Sequence, residues 1–201
     1  MFVITADQRG STRTGEHVDA LSASLRPWLD RWAADIALPL ERTVGDEVQI
    51  VLTSADAALD LALTLARAQK WSVGIGVGPV TEPLGESARA SAGPAFVAAR
   101  RAVERAKLKS EPVPVVVAGD REDAAEAATA VLQLLASVVR RRSSEGWEVA
   151  DLLADGATQR QIAAHLGISA QAVSQRVASA MIGEERRTRP VAVRLIEAAG
   201  R

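Results

Sequence analysis

Along the first 119 residues, short apolar runs bounded by turn residues alternate with segments of helical period. Phe2-Val-Ile-Thr-Ala reads as a strand ending at Asp7, and Gln8 to Thr12 as a turn-rich loop. Val18, Leu21, Leu25, Trp28, Leu29 and Trp32 recur on one helix face, which predicts a helix over 17–38 that breaks or restarts at Pro27. Trp28 and Trp32 lie one turn apart and read as core. Leu40 to Leu52 reads as two strands about a hairpin at Gly45-Asp46, with Glu47 on the hairpin surface. A helix over 55–68, a glycine-rich strand over 71–78, a loop over 82–94, a helix over 95–107 and a strand over 113–118 complete this half. The order strand, helix, strand, strand, helix, strand is the split βαβ, or ferredoxin-like, plan of an α+β domain.

The remaining residues carry only the helical period. Ala124, Ala127, Val131, Leu134, Leu135 and Val138 form a stripe that predicts one long helix, capped by Asp120 and joining two domains. Residues 143–146 break the pattern, and 147–154 predicts a helix whose Trp147 plugs a second core. Thr158 can then cap a short helix, with Gln161 completing a capping box. Ile162, Ala163 and Leu166 share a face, and Gly167 stands where a chain leaving a helix needs a left-handed residue. Ser169 caps the next helix, in which Ala172, Val173 and Val177 turn back while Gln171, Ser174, Gln175 and Arg176 point outward. Residues 184–190 read as a charged hinge before a last amphipathic helix over 191–199.

A small residue at the crossing, a glycine corner and a locking valine make the pattern of a helix-turn-helix. Gln, Ser and Arg are the side chains that bond base edges and phosphates. The candidate DNA-binding residues are therefore Thr158, Arg160, Ser169, Gln171, Ser174, Gln175 and Arg176. The stretch GISAQAVSQRV resembles the promoter-reading domain of sigma factors and the LuxR-type regulators, which implies double-stranded DNA as partner. The plain alternative is a helical hairpin with a polar face.

Composition adds exclusions. With 48% hydrophobic and 24% charged residues a packed core is expected. The absence of cysteine removes disulfides and thiolate metal sites, and His17 and His165 stand too far apart in sequence to suggest zinc. No apolar run has the length of a membrane span and no basic leader precedes one, so a cytoplasmic protein is expected. A net charge of -1 does not advertise nucleic-acid binding, but Arg140, Arg141 and Arg142, and Arg186, Arg187 and Arg189, flank the two short helices as candidate phosphate contacts.

The first half resembles the catalytic domain of class III nucleotidyl cyclases, and more loosely the GGDEF cyclases of the same palm architecture. The resemblance rests on Ala6-Asp7-Gln8-Arg9-Gly10-Ser11-Thr12, on Arg42-Thr43-Val44-Gly45-Asp46, on Gly74-Ile-Gly-Val-Gly78 and on Ala98-Ala99-Arg100. It implies that Asp7 and Asp46 hold a metal, Mg²⁺ with a nucleotide, since that ion takes oxygen ligands. It implies Arg42, Gly45 and Arg100 as nucleotide-binding residues, with glycines that let backbone N–H groups approach phosphate. The departures are equally plain. The position of the cyclases' asparagine is Phe96 or Val97, neither of which hydrogen-bonds, and the base-reading lysine is replaced by Arg42. The whole layout is similar to the SatD-like family of bacterial proteins.

These readings predict a cyclase-like α+β domain over 1–119, a linker helix over 120–144 and a helix-turn-helix domain over 145–201. The expected function is a bacterial transcriptional regulator whose front half binds a nucleotide or other effector, or pairs two copies into a homodimer. The alternative is a metal-dependent nucleotidyl cyclase, or a related nucleotide transferase, targeted by its helix-turn-helix.

Overall fold

β1 (Phe2–Gln8) is the central strand of a five-stranded sheet. The protein is seen here in a computed structural model that describes residues 1–9, 18–43 and 45–200. His17, the Gly10-Ser11-Thr12 loop and Val44 lie outside the described residues. β1 runs antiparallel to β3 (Glu47–Leu52) and to β4 (Trp71–Val77). β2 (Ile36–Arg42) pairs antiparallel with β3, and β5 (Val115–Ala118) runs parallel to β4, giving the order β2-β3-β1-β4-β5.

Strand alternation sorts the side chains onto two unlike faces. Ile4, Ala6, Val48, Ile50, Leu52, Val73, Ile75, Val115 and Val117 enter the main core. That face is covered by α1 (Val18–Ser24), α2 (Arg26–Arg31), α3 (Ala55–Ala68), α5 (Glu122–Arg141) and the C-terminal half of α9 (Ile182–Ala198). The opposite face carries Val3 and Val51 against α4 (Pro94–Ala106), through Ala95 and Ala99. A Cβ on Gly74 or Gly76 of β4 would overlap the backbone of α4, so these two glycines let helix and strand touch directly. This differs from the phosphate role expected of them.

Several elements follow their local signals closely. Ser54 caps α3 by accepting from the amide of Ala57. The β2–β3 hairpin turns at Gly45, which has φ +63°. The expected helix over 17–38, however, ends as two short helices, a 3-10 turn over Ala33–Asp35 and then β2. Pro27 stands in the first turn of α2, where it needs no amide partner. Pro39 sits within β2, an edge strand whose register shifts between Leu38 and Glu41, the kind of place a sheet tolerates proline.

α5 is not a free connector. Ala125, Ala128, Leu132, Leu135, Ala136 and Val139 are buried in the main core, and the buried hydroxyl of Thr129 receives the amide of Val117 at 2.9 Å. Its cap is Arg121 rather than Asp120, with no side-chain bond. The residues expected as a charged hinge, 184–190, lie inside the continuous α9, which runs through Pro190. Burial of Ala192, Val193 and Ile196 beyond the proline outweighs the lost backbone bond. Ile182, at the other end of α9, belongs to a second core, so this one helix splints the two.

The second core joins α6 (Ser144–Ala154), α7 (Gln159–Leu166) and α8 (Ala170–Ser179) through Val149, Ile162, Ala163 and Val173. α6 begins three residues before Trp147, capped by Ser143. Trp147 does not plug this core. It lies partly buried against the main one, with the guanidiniums of Arg67 and Arg142 at 3.7 and 4.4 Å from its ring centroid. The capping box at α7 is formed: the Thr158 hydroxyl accepts from the Gln161 amide, and the Gln161 carbonyl oxygen accepts from the Thr158 amide at 2.8 Å. Thr158→Ala removes this reciprocal pair and is expected to lower stability by about 1 kcal/mol. For a chain of this size that is a fall in Tm of about 2–4 °C. An unchanged melting temperature would show that the box contributes nothing in solution.

Candidate nucleic-acid interface and the carboxylate end of the sheet

α7 and α8 are joined by Gly167 and Ile168, with Gly167 left-handed at φ +64° and Ser169 capping α8 through the amide of Ala172. On α8, Val173 is fully buried and Ala172 and Val177 are partly so. Ala170, Gln171, Ser174, Gln175, Ala178 and Ser179 are exposed, and at 100° per residue they form one continuous face of the helix. That face holds two amides and two hydroxyls and no charge. Thr158 and Arg160 are exposed at the start of α7, although the Thr158 hydroxyl is already engaged by Gln161.

Arg176 does not join this face. It is turned toward α6 and pairs with Glu148 at 2.9 Å. The expectation that it points outward with Gln171, Ser174 and Gln175 therefore needs correcting: its guanidinium is turned to the flank nearest α6, where a carboxylate pairs with it. The flanking arginines are also largely spoken for. Arg142 is almost completely buried and pairs with Glu185 at 2.6 Å. Arg189 bonds Glu185 and Asp60, and Arg187 meets Glu184 at 3.3 Å. Burial, with the charge of Arg9, pushes the Arg140 guanidinium below its ordinary value. Arg141, Arg160 and Arg186 are exposed and have no ion pair among the described residues. The sequence pattern located the arginines, but their partners come from distant elements.

On the sheet, β1, β3 and β4 bring a polar row onto the α4 face. Asp7 stands directly across from Glu47 on one side and Ser72 on the other. Asp46 is on the adjoining turn, half-buried, beside exposed Gly45. Both main carboxylates are held by cations from α4 and its C-cap, Lys107. Lys107 approaches Asp7 at 2.8 Å, and Arg100 reaches Glu47 at 2.6 Å and Glu104 at 3.1 Å. Burial pulls the Lys107 ammonium down, but the Asp7 carboxylate, helped by Glu104, outweighs this and raises it above its ordinary value. Glu47, read as a surface residue, is only 7% exposed and also accepts from the Thr43 hydroxyl at 2.8 Å. Arg42 donates to the carbonyl of Gly45 across the hairpin.

Mg²⁺ requires several open oxygens. Among the described residues no three His, Asp or Glu side chains group to supply them. No buried side-chain polar atom among those residues lacks a partner, so none is left pointing at a missing ligand. Of the carboxylates there, Asp7 and Glu47 are already engaged by Lys107 and Arg100. Lys107, which is not among the candidates the sequence offers, and Glu47, expected on the surface, carry much of this arrangement. The signal available was the polar run Glu47, Gln49 on the same strand face as Asp7 and Thr5, where Gln49 donates to Thr5 at 3.0 Å.

No protein-family profile matches the chain, and no curated protein or solved structure matches it.

Proposed function

We propose that the protein is a bacterial DNA-binding transcriptional regulator. In this reading α7 and α8 form a helix-turn-helix, α8 enters the major groove of double-stranded DNA, and Gln171, Ser174 and Gln175 read base edges. The observation that carries it is the exposed, uncharged amide-and-hydroxyl face of α8, presented on a helix whose partner is capped, cornered and packed to hold it rigid. Gln presents a bidentate pair that matches adenine in the major groove. Arg141 and Arg160 are left for phosphates, and Arg176 serves to fix α8 against α6.

The α+β half is, in the same reading, a ferredoxin-like domain of the cyclase type whose chemistry has lapsed. The antiparallel order β2-β3-β1-β4 supports that plan, and the ion-paired Asp7 and Glu47 support the lapse. Its role is effector binding or homodimerisation, since operators are commonly read by dimers. The protein then works in the cytoplasm; no helix among the described residues is long and apolar enough to cross a membrane. The similarity to the SatD-like family belongs to this proposal.

The test is selection of the protein's preferred site from random duplexes, followed by fluorescence anisotropy at two salt concentrations. Wild-type protein is expected to prefer the selected site over scrambled DNA and to weaken with salt. Gln171→Ala with Gln175→Ala is expected to cost about 1–3 kcal/mol for each base pair read, a loss of about tenfold or more in preference. No preference in the wild type, or an undiminished one in the variant, overturns the reading.

A further inference from the structure

Between the main core and α6 lies a cleft of about 650 Å³, walled by α2, α3, α6 and α9. That volume suits a drug-sized molecule. We infer that the cleft binds a small organic anion, one with an apolar body and a single carboxylate, sulfonate or phosphate head. This deepens the effector half of the proposed function and moves the effector away from the Asp7 end of the sheet.

Pro27, Leu63, Leu153 and Ile182 supply apolar walls. Five guanidiniums and four carboxylates also line the cleft. Most cancel within the fold: Arg142 and Arg189 with Glu185, Arg189 with Asp60, and Arg67 with Asp151. Arg31 and Arg186, both exposed, remain without an ion pair among the described residues, against Asp155 alone of the acids. The surplus is therefore cationic and sits beside apolar surface. Guanidinium is also the side chain best matched to an oxyanion, since two of its N–H groups can meet two oxygens of one head group.

The rings in the cleft are not open to a nucleobase. Trp147 already carries two guanidiniums. Trp28 is buried, stacks on Trp32 with centroids 6.2 Å apart, and gives its indole N–H to Asp60, as Trp32 does. This favours a simple organic acid over a nucleotide. The site has a direct line to the DNA-reading unit. Arg67 on α3 holds Asp151 on α6 through two bonds of 2.7 and 2.8 Å. That pair is about half exposed, so an arriving oxyanion can draw Arg67 away at small cost.

The test is a fluorescence titration of the full chain with anilinonaphthalene sulfonate. Saturable one-to-one binding is expected, displaced by decanoate but not by decanol at the same concentration. Arg31→Gln with Arg186→Gln is expected to weaken the probe about tenfold or more, with an unchanged melting curve to show that the fold is intact; Arg186→Gln alone serves if the pair is unstable. Absence of saturable binding, equal displacement by decanol, or wild-type affinity in the variants overturns the inference. Each of those results leaves site-selective DNA binding to be read separately, and a failure of DNA binding leaves the titration unaffected.

Discussion

Glu185→Ala destabilises the protein by about 3–5 kcal/mol, the usual loss when one partner of a buried pair is removed. The Glu185 side chain is 14% exposed and accepts from Arg142 at 2.6 Å and Arg189 at 2.9 Å. The Arg142 side chain is 2% exposed. Without Glu185 its charge stays buried with only the Ala180 carbonyl at 3.2 Å and the face of Trp147. Those two contacts retain part of the stabilisation, which places the loss toward the lower end of the range. Arg189 keeps its bond to Asp60 and contributes less to the loss.

The exposed bridge between the same two parts of the molecule gives the contrast. Arg67 and Asp151 have side chains 42% and 52% exposed, and a pair of that kind is worth about 0–1 kcal/mol. Chemical denaturation of Glu185→Ala beside Asp151→Asn separates the two cases. Equal, small losses from both would mean that Arg142 finds solvent in the folded protein, and the splint formed by α9 would then rest on apolar packing alone.

Gly76→Ala is expected to cost at least about 3 kcal/mol, at the upper end of what overpacking does. Glycine inside a strand is ordinarily a weakness of roughly 0.5–1 kcal/mol relative to alanine, so elsewhere this change would help. Here the new methyl meets the carbonyl oxygen of Ala95 and the amide nitrogen of Ala99, both backbone atoms of α4. A side chain could rotate aside; a helix has to move whole, and α4 carries the arginine and lysine that hold Glu47 and Asp7. At Gly183 a Cβ would meet only the end of the flexible Arg187 side chain at 3.7 Å, so Gly183→Ala should be close to neutral. Urea denaturation of both variants checks the pair, and a Gly76→Ala protein as stable as Gly183→Ala would refute the close approach of α4 to β4.

The elements that could be read in advance are those whose signals lie within a few residues. Ser54 caps α3, Thr158 and Gln161 close their box, and Gly167 and Gly45 take positive φ because their local backbones require it. β1 and β3 read as strands for the same reason, since each is a short apolar run bounded by turn residues. The helix of α5 was visible in its period, but its buried face was not: of the expected stripe only Ala124 and Leu135 are buried, while Ala127 and Leu134 are exposed and Ala125, Ala128, Leu132, Ala136 and Val139 take their place in the main core.

What escaped the linear pattern depends on residues far apart in the chain. Ile36 could have continued a helix, but it pairs with Leu52 of β3. Residues 184–190 have the composition of a hinge, yet apolar contacts beyond Pro190 keep α9 whole. The candidate site divides in the same way. The faces of α8 follow from helical period, so Gln171, Ser174 and Gln175 were legible as exposed. Arg176, Arg142, Asp7 and Glu47 were not legible as paired, because Glu148, Glu185, Lys107 and Arg100 reach them from other elements. Thus local hydrogen bonding and hydrophobic period, both short-range, determined the helices, turns and exposed faces of this protein from its sequence alone. Which charges face solvent, and where the cleft opens, was decided only when tertiary packing set burial and partnership, because a charge keeps its freedom until desolvation or an opposite charge claims it.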